Sequence, residues 1–515
     1  VYAKLIDFGA LPAENTEKSV AHGITNIDQF GIDNSRSYVD QGNGNRHALF
    51  YPNTVANAFW RAKVNETHVA IQVGQARTGF TAVVCVWFTK MYEIAEPGED
   101  HSDYPGEAHF TVLGASGDQR GHHVTRHNDT IVISGMCNSG GVTSLIATYD
   151  PSLRLTDKRL HGEIGQYSKV LPAPWGYIGA SQNKLKFTRM DANLSPLGGT
   201  SYYASGVADF CAAPEGSDSP YGYVSVGNRG GYGLICGLNQ QGAMMKCIVH
   251  TTDRGKGDLY KVIMDDDRIV AVGQVSGYGL ISVYDKSLNL VENIKISNSG
   301  TIHLKGLAKT PTGYVVGGHT DANGTWNLML MVLDEDFNVV KKALIRKAWE
   351  QLNDLKVDQA GNIAILATSR LGSSLGTNKG LFMLLDPELN IKTQHFLQGS
   401  YGTEYKSLHI NNVGNYLITG RSTIVSNGGD KAFLLNLVGK IEDVNGSIAK
   451  YPSMRINTAS EFTASDQFTL TINRNHIQSQ GVYNIGSSSY SVTTVPNSLV
   501  QDPGAVIIAS LPLDN

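Results

Sequence analysis

Charge, cysteine and long apolar runs are all scarce in this sequence, and each scarcity excludes something. Charged residues make up 17% of the 515 positions and the formal net charge is only −4, which leaves no basic excess to neutralise nucleic-acid phosphates. The five cysteines, Cys85, Cys137, Cys211, Cys236 and Cys247, are an odd, dispersed set without CxxC spacing. Neither a zinc site nor a disulfide framework is indicated, and buried free thiols are expected. No run of 18 apolar residues occurs, so no membrane insertion is predicted. The opening VYAKLIDFGALP has neither a basic nor a long apolar leader region. It reads as a soluble chain without a secretion signal, and its start at Val1 is compatible with a longer precursor.

Catalytic signatures are missing as well. There is no HExxH, no GxxxxGK[ST], no GxSxG elbow and no dinucleotide fingerprint, so no cofactor or metal is expected and no catalytic residue is assigned. The one dense histidine cluster, HHVTRH (His122 to His127), places His123 and His127 on one strand face but roughly 13 Å apart. That separation is too large for shared metal ligation, so these are read as polar inner-strand histidines. Asp209, Asp265, Asp266, Asp354 and Glu404 occupy inner-strand or loop positions where a propeller glycosidase would keep paired carboxylates. Sequence does not bring any two of them together.

What the chain does have is 56 glycines, 23 tyrosines and a repeat, a composition suited to an extracellular or particle-surface β protein. GYGLI occurs at Gly231 and again at Gly277, an offset of 46. Extending the offset gives seven units, each an alternating apolar run, a polar turn, a second apolar run ending in Asp or Asn, and a third strand. The turn residues Asp150, Asp191, Asn239, Asp285, Asp334, Asp386 and Asn436 are spaced by 41, 48, 46, 49, 52 and 50. This period fits a four-stranded, kelch-like propeller blade. Small residues at Gly135, Gly179, Gly227, Gly273, Gly318, Ala367 and Gly420 are expected to let neighbouring sheets approach near the ring. The stretch AHFTVLGASGD (Ala108 to Asp118) resembles the outer strand and turn TQHFLQGSYGT (Thr393 to Thr403). Residues around 109 to 114 are therefore expected to close the last blade, with KIEDVNGSI after Gly439 as the competing closing strand.

The fold class expected is all-β: a seven-bladed β-propeller over residues 108 to 445, flanked by small N-terminal (1 to 92) and C-terminal (446 to 515) β-sandwich-like domains. Between the first two lies an acidic linker, Glu93 to Glu107, with six acids and no Lys or Arg. Its spacing lacks the calcium-loop pattern.

In the first module, KLIDFGALPAENTEKSVAHGITNID (Lys4 to Asp28) followed by NETHVAIQVGQARTGFTAVVCVWFTK (Asn65 to Lys90) resembles the small β modules of bacteriophage tail-fibre and receptor-binding proteins. In that group a DFGxLP-like start, a VxHGI turn and a TAxVxVxYTK-like closing strand recur. This chain has Trp87 and Phe88 in the closing strand, an aromatic-for-aromatic change. The resemblance covers about 90 residues. It implies a module that attaches to, or trimerises on, a virion tail assembled in the host cytoplasm. The implied partners are other tail proteins, further copies of the chain, and a host-surface glycan or protein.

The longest loops between second and third strands are Thr320 to Thr325, Leu371 to Lys379 and Thr423 to Asp430, in three consecutive units. They nominate Asp321, Asn323, Trp326, Asn378 and Asn427 as receptor-binding residues, with Tyr202, Tyr203, Tyr401 and Tyr405 from the links between units. Loop aromatics suit sugar stacking or protein contact; the competing reading has these rings capping hydrophobic edges between blades. DANGTW (Asp321 to Trp326) resembles the sialidase Asp box, but its Asp and Gly are two residues apart instead of one and it lies in a different turn. The expected function is receptor binding by a phage tail fibre. A surface-polysaccharide hydrolase or lyase and a purely architectural tail protein are the alternatives.

Overall fold

The computed structural model of the chain describes the strands named below and, apart from short stretches at blade junctions and loop tips, the residues between 107 and 474. The acidic linker up to residue 106, Asp266, Asn323, Tyr203, Tyr401 and Asn427 lie outside the described residues. The chain divides into two compact units, Val1–Gly98 and Glu99–Asn515. In the first, a five-stranded antiparallel sheet is built on Thr81–Lys90, and a three-stranded one joins Glu17–Ala21, His68–Val73 and Trp60–Val64. The two ends of the tail-module resemblance pair directly, Lys4 opposite Val86 and Asp7 opposite Val83.

The second unit is a seven-bladed β-propeller. Blades 1 to 6 begin with the inner strands Asp118–His127, Tyr167–Ala173, Val207–Ala212, Gly257–Met264, Ile302–Thr310 and Glu350–Val357, each followed by three antiparallel strands. Blade 7 takes Thr403–Ile410, Tyr416–Ser422 and Lys431–Val438 from one end of the repeat and its outer strand, Glu107–Gly114, from the other, with Phe110 opposite Leu435. The closing strand is the one expected from the AHFTVLGASGD resemblance, and it leaves the ring without an open seam. The inner strands touch one another all the way round, blade 7 against blade 1 included.

The local chemistry explains the repetition. Turns between third and fourth strands follow one pattern: Asp285 Oδ1 accepts the backbone N–H groups of Ser287 and Asn289 at 2.9 and 2.8 Å, as Asp191 does for Asn193 and Ser195. Three residues on, Leu153, Leu194, Leu288, Phe337 and Leu389 adopt φ between 58° and 68° and are buried. The apolar gain outweighs the left-handed backbone cost. The core is a ring of layers, one between each pair of consecutive blades.

The glycines have a different purpose from the one expected. Each inner strand bulges at one matching place, as at Gly121/His123 and Leu304/Gly306. A Cβ on Gly135 or Gly318 would strike the Arg120 or His303 carbonyl of the same blade, not a neighbouring sheet. The bulge compresses the inner pair, and glycine on its partner strand accommodates it. Gly179 departs from this, because a Cβ there meets the Tyr167 ring.

Two further expectations are corrected. Cys236 and Cys247 sit opposite each other across a hairpin and form a disulfide; hairpin register, which cysteine spacing does not show, brings together residues 11 apart. Cys137 and Cys211 are thiols outside any disulfide, and Cys137 Sγ accepts the Gln119 Nε2 donor.

The C-terminal stretch is not a separate β-sandwich-like domain. It runs round the outside of the propeller as a belt, adding antiparallel strands to every blade in reverse order, one to each of blades 1 to 5 and two to each of blades 6 and 7. Tyr451–Thr458 pairs with blade 6, Thr463–Ser465 with blade 5, Thr471–Arg474 with blade 4, and Ser479–Val482 with blade 3. Ser487–Tyr490 and Thr494–Val495 follow on blades 2 and 1, and Val500–Gln501 and Val506–Ala509 end on Glu107–Gly114 of blade 7. A short polar segment cannot bury a core of its own, whereas the blades offer seven edges with unpaired backbone groups. No helix among the described residues is long and apolar enough to cross a membrane.

Candidate ligand-binding face of the propeller

The inner-strand bulges put one extra side chain per blade at matching heights: His122, Ser168, Ala208, Tyr260, Lys305, Asn353 and Lys406. Several hold adjacent blades together. His122 Nδ1 lies 2.9 Å from the Tyr167 carbonyl and donates to it, and Asn353 Nδ2 donates to the Tyr405 carbonyl at 2.7 Å. One residue further along, the side chains form a buried ionic set. Lys169 Nζ is 2.9 Å from Asp209 Oδ1 and Lys261 Nζ is 2.8 Å from Asp354 Oδ1. Val262 N–H donates to Asp209 and Leu408 N–H to Asp354, both from a neighbouring blade.

The four described carboxylates singled out as catalytic candidates, Asp209, Asp265, Asp354 and Glu404, are held charged. Burial works to raise Asp209 and Asp354, but Lys169 and Lys261 for the first, and Lys261 and Lys356 for the second, outweigh it and keep both below the usual range. Burial likewise opposes, and the Tyr314 hydroxyl and two backbone N–H groups overcome, the shift of Asp265. Glu404, partly desolvated, is brought down to about 2 by a two-pronged Arg421 contact at 2.7 and 3.1 Å and by Lys406 at 2.8 Å. A general acid needs its pKa raised towards the working pH, and these four have the opposite shift.

The proposed contact residues separate into three groups. Tyr202 and Tyr405 are buried: the Tyr202 hydroxyl accepts the Met244 N–H, and Tyr405 packs on Gly380 and edge-on to Phe433. They fill space between blades and reach no surface ligand, because their link positions fall inside strands. Asp321 and Asn378 are scaffold. The Asp321 side chain accepts the Thr301 N–H while its carbonyl accepts that of Gly324, and Asn378 bridges Arg370 to Glu404. Trp326 alone stands in a cluster with the means to bind.

That cluster was hidden in the sequence. Trp326 sets its edge against His303 and His319 at centroid distances of 5.1 and 4.9 Å, His303 stacks on His319 at 5.1 Å, and Tyr260 continues the row at 6.4 Å from His303. His303 and His319 are cross-strand partners in one hairpin; mirroring residues about the turn would have paired His303 with Thr320, and the bulge at Lys305 shifts the partner to His319. Lys305 lies 5.6 Å from the Tyr260 ring centre and, among the described residues, has no hydrogen bond or ion pair. Burial, then Lys406, lowers its pKa. His319, with Nδ1 unpartnered, is held neutral down to about 2 by burial, with Lys305 and His303 adding to it. A desolvated cation without a counter-ion beside a row of rings is arranged for an anionic or polyhydroxylated ligand. Among the described residues no group of three His, Cys, Asp or Glu is placed to hold a metal ion.

These histidines give a pH expectation. Burial holds His122, His161 and His409 at about 4, below the ~6.5 of an unfolded histidine. The unfolded chain takes up protons first, so the stability each histidine contributes is complete above pH ~6.5 and is lost as pH falls towards 4. Unfolding free energy measured in urea is expected to drop between pH 7 and 5 by up to roughly 1.4 kcal/mol per pH unit for each such histidine. A flat profile would show these rings to be solvated.

No protein-family model and no curated protein matches the chain. Among solved structures it is similar to a 6-phosphogluconolactonase candidate from Bacteroides uniformis, at 10% identity over 72% of this chain and 100% of the other, with a TM-score of 0.39. It is also similar to dihydro-heme d1 dehydrogenase NirN in complex with DHE, at 11% identity over 72% of this chain and 77% of that one, with a TM-score of 0.34. Likenesses at these scores assign no activity, and the propeller architecture rests on the strand pairing of this chain itself.

Proposed function

We propose that this chain is a receptor-binding protein of a phage tail whose propeller holds a host-surface glycan at the cluster around Trp326 and Lys305. The observation that carries the binding reading is the unpaired, half-buried Lys305 beside the Tyr260, His303, His319 and Trp326 rings. None of the four described candidate carboxylates is shifted upward as a general acid would be, which favours holding a ligand over hydrolysing one. The tail assignment is supported by the N-terminal resemblance, with that module attaching to other tail proteins and joining copies of the chain, a trimer being favoured. Repetition around a tail multiplies weak single sites by roughly 10²–10⁴ in avidity.

Binding of the full chain to host cells and to their envelope polysaccharide tests this. Trp326→Ala and Lys305→Gln are each expected to weaken binding at least tenfold with melting unchanged. Equal binding by both variants would move the contact elsewhere. Release of short saccharides would replace recognition with depolymerisation, and a chain that ignores cells would leave architecture.

A further inference from the structure

A second feature lies outside that cluster, where the belt crosses from blade 5 to blade 4. A cleft of about 510 Å³ opens there, walled on one side by Asn298, Ser299 and Arg346 of the blades and on the other by Gln467, Phe468 and Thr471 of the belt. Its volume falls in the range of small-molecule sites. The lining combines amides and hydroxyls with one ring, one cation and the apolar side chains of Ala322 and Leu344. Phe468 is fixed from behind: the Lys342 amine donates to its carbonyl and sits 5.0 Å from its ring centre. Asn298 is held by Thr320 and the Gly300 N–H.

The two arginines near the crossing differ. Arg474 is fully engaged, with Glu292 at 3.0 Å, the Asp336 carbonyl at 2.7 Å and Asn338 at 2.9 Å. Arg346, the last residue of the blade 5 outer strand, lines the cleft and has no hydrogen bond or ion pair among the described residues. Gln467 Nε2 donates to the neighbouring Asp466 carboxylate at 2.7 Å.

We infer that this cleft is a subsite for an acidic oligosaccharide, with a sugar carboxylate on the Arg346 guanidinium, hydroxyl groups on Ser299, Gln467 and Thr471, and the Phe468 ring against a sugar face. A planar guanidinium matches a carboxylate in two-pronged geometry. The inference rests on the glycan-recognition reading. It adds the charge class of the glycan and a contact made by the belt, so the site exists only when the belt is in place.

The experiment is calorimetric titration of the full chain with a hexuronic acid trisaccharide, its neutral hexose counterpart of the same linkage, and acetate. The uronic acid trisaccharide is expected to bind at least tenfold more tightly than the neutral sugar. Arg346→Gln should abolish that preference, Arg346→Lys should keep part of it, and Lys184→Gln, at an exposed lysine of blade 2, should leave it intact. Equal binding of neutral and acidic sugars, or an unaffected Arg346→Gln variant, would overturn the inference. So would acetate binding as tightly as the trisaccharide, which would reduce the site to a bare anion contact. If envelope polysaccharide binds the wild-type chain and Arg346→Gln alike but is lost in Trp326→Ala, the cleft fails and glycan recognition stands. If the trisaccharide binds through Arg346 while no envelope polysaccharide does, the receptor reading fails and the subsite stands.

Discussion

A chain ending at Lys450 is expected to melt at least about 10 °C below the full chain and to associate through its blade edges. The belt supplies each blade with its outermost strand. Without it, seven outer strands such as Val339–Arg346 present unpaired backbone groups alongside already exposed Val291 and Val340. In the native fold the outermost strands are instead C-terminal segments of two to four residues, Gly446–Ile448 lying outside Tyr451–Thr458 on blade 6, and short edges resist pairing with other chains.

The belt also contributes core. Ile456 and Phe462 are buried in the layers between blades 6 and 7 and between blades 5 and 6, and Phe468 and Leu470 pack on the next. Phe462 is held on both sides of its own backbone, its N–H donating to Gln394 Oε1 and its carbonyl accepting from Gln394 Nε2. Phe462→Ala alone is expected to cost about 3 kcal/mol, the lower end for a buried phenylalanine. Thermal melting and light scattering report both variants. A truncated chain that melts with the full one and stays monodisperse would make the belt a passive passenger.

The second large effect is electrostatic. Asp354→Asn is expected to destabilise the propeller by about 3 kcal/mol, because it leaves the buried Lys261 charge without its hydrogen-bonded carboxylate. Asp354 is almost fully buried, and it receives both the Lys261 amine and the Leu408 N–H. The sign with pH follows. A carboxylate held below its unfolded value contributes stability above the unfolded pKa of ~3.9, and the contribution is lost as pH falls through the folded value. Lys356, lowered to about 8 mainly by burial, marks how poorly water reaches this set. The double variant Asp354→Asn with Lys261→Met is expected to recover much of the loss, since removing both charges also removes their desolvation cost. If the single variant unfolds at the wild-type urea concentration, the pair is solvated and the interior is not as dry as the geometry implies.

The repeat was legible because its signal is local. An Asp or Asn that bonds backbone N–H groups two and four residues on, followed by a buried Leu or Phe, is written within five residues, as in DPSL, DANL, DKSL and DPEL. Strand alternation needs only its own side chains. The closing strand was legible for a similar reason, since AHFTVLG has the form of the repeat's outer strand. The belt was not. Its starting residues Thr463, Thr471, Ser479 and Ser487 recur every eight, a step of four paired residues and four to cross to the next blade. Short polar segments with no apolar face of their own do not declare which edge they will cover.

The sequence by itself determined the blade: the turn chemistry, the alternation and the period are all properties of neighbouring residues. The tertiary structure decided everything that depends on closure. It turned a supposed C-terminal domain into a belt, buried Tyr202 and Tyr405 while leaving Trp326 in reach, paired Asp354 with Lys261 across 93 residues of chain, and left the Lys305 amine and the Arg346 guanidinium without a hydrogen bond or ion pair among the described residues. Pairing and its absence are set by which strands a ring brings together, and that proximity is carried by the closed fold, not by any short stretch of chain.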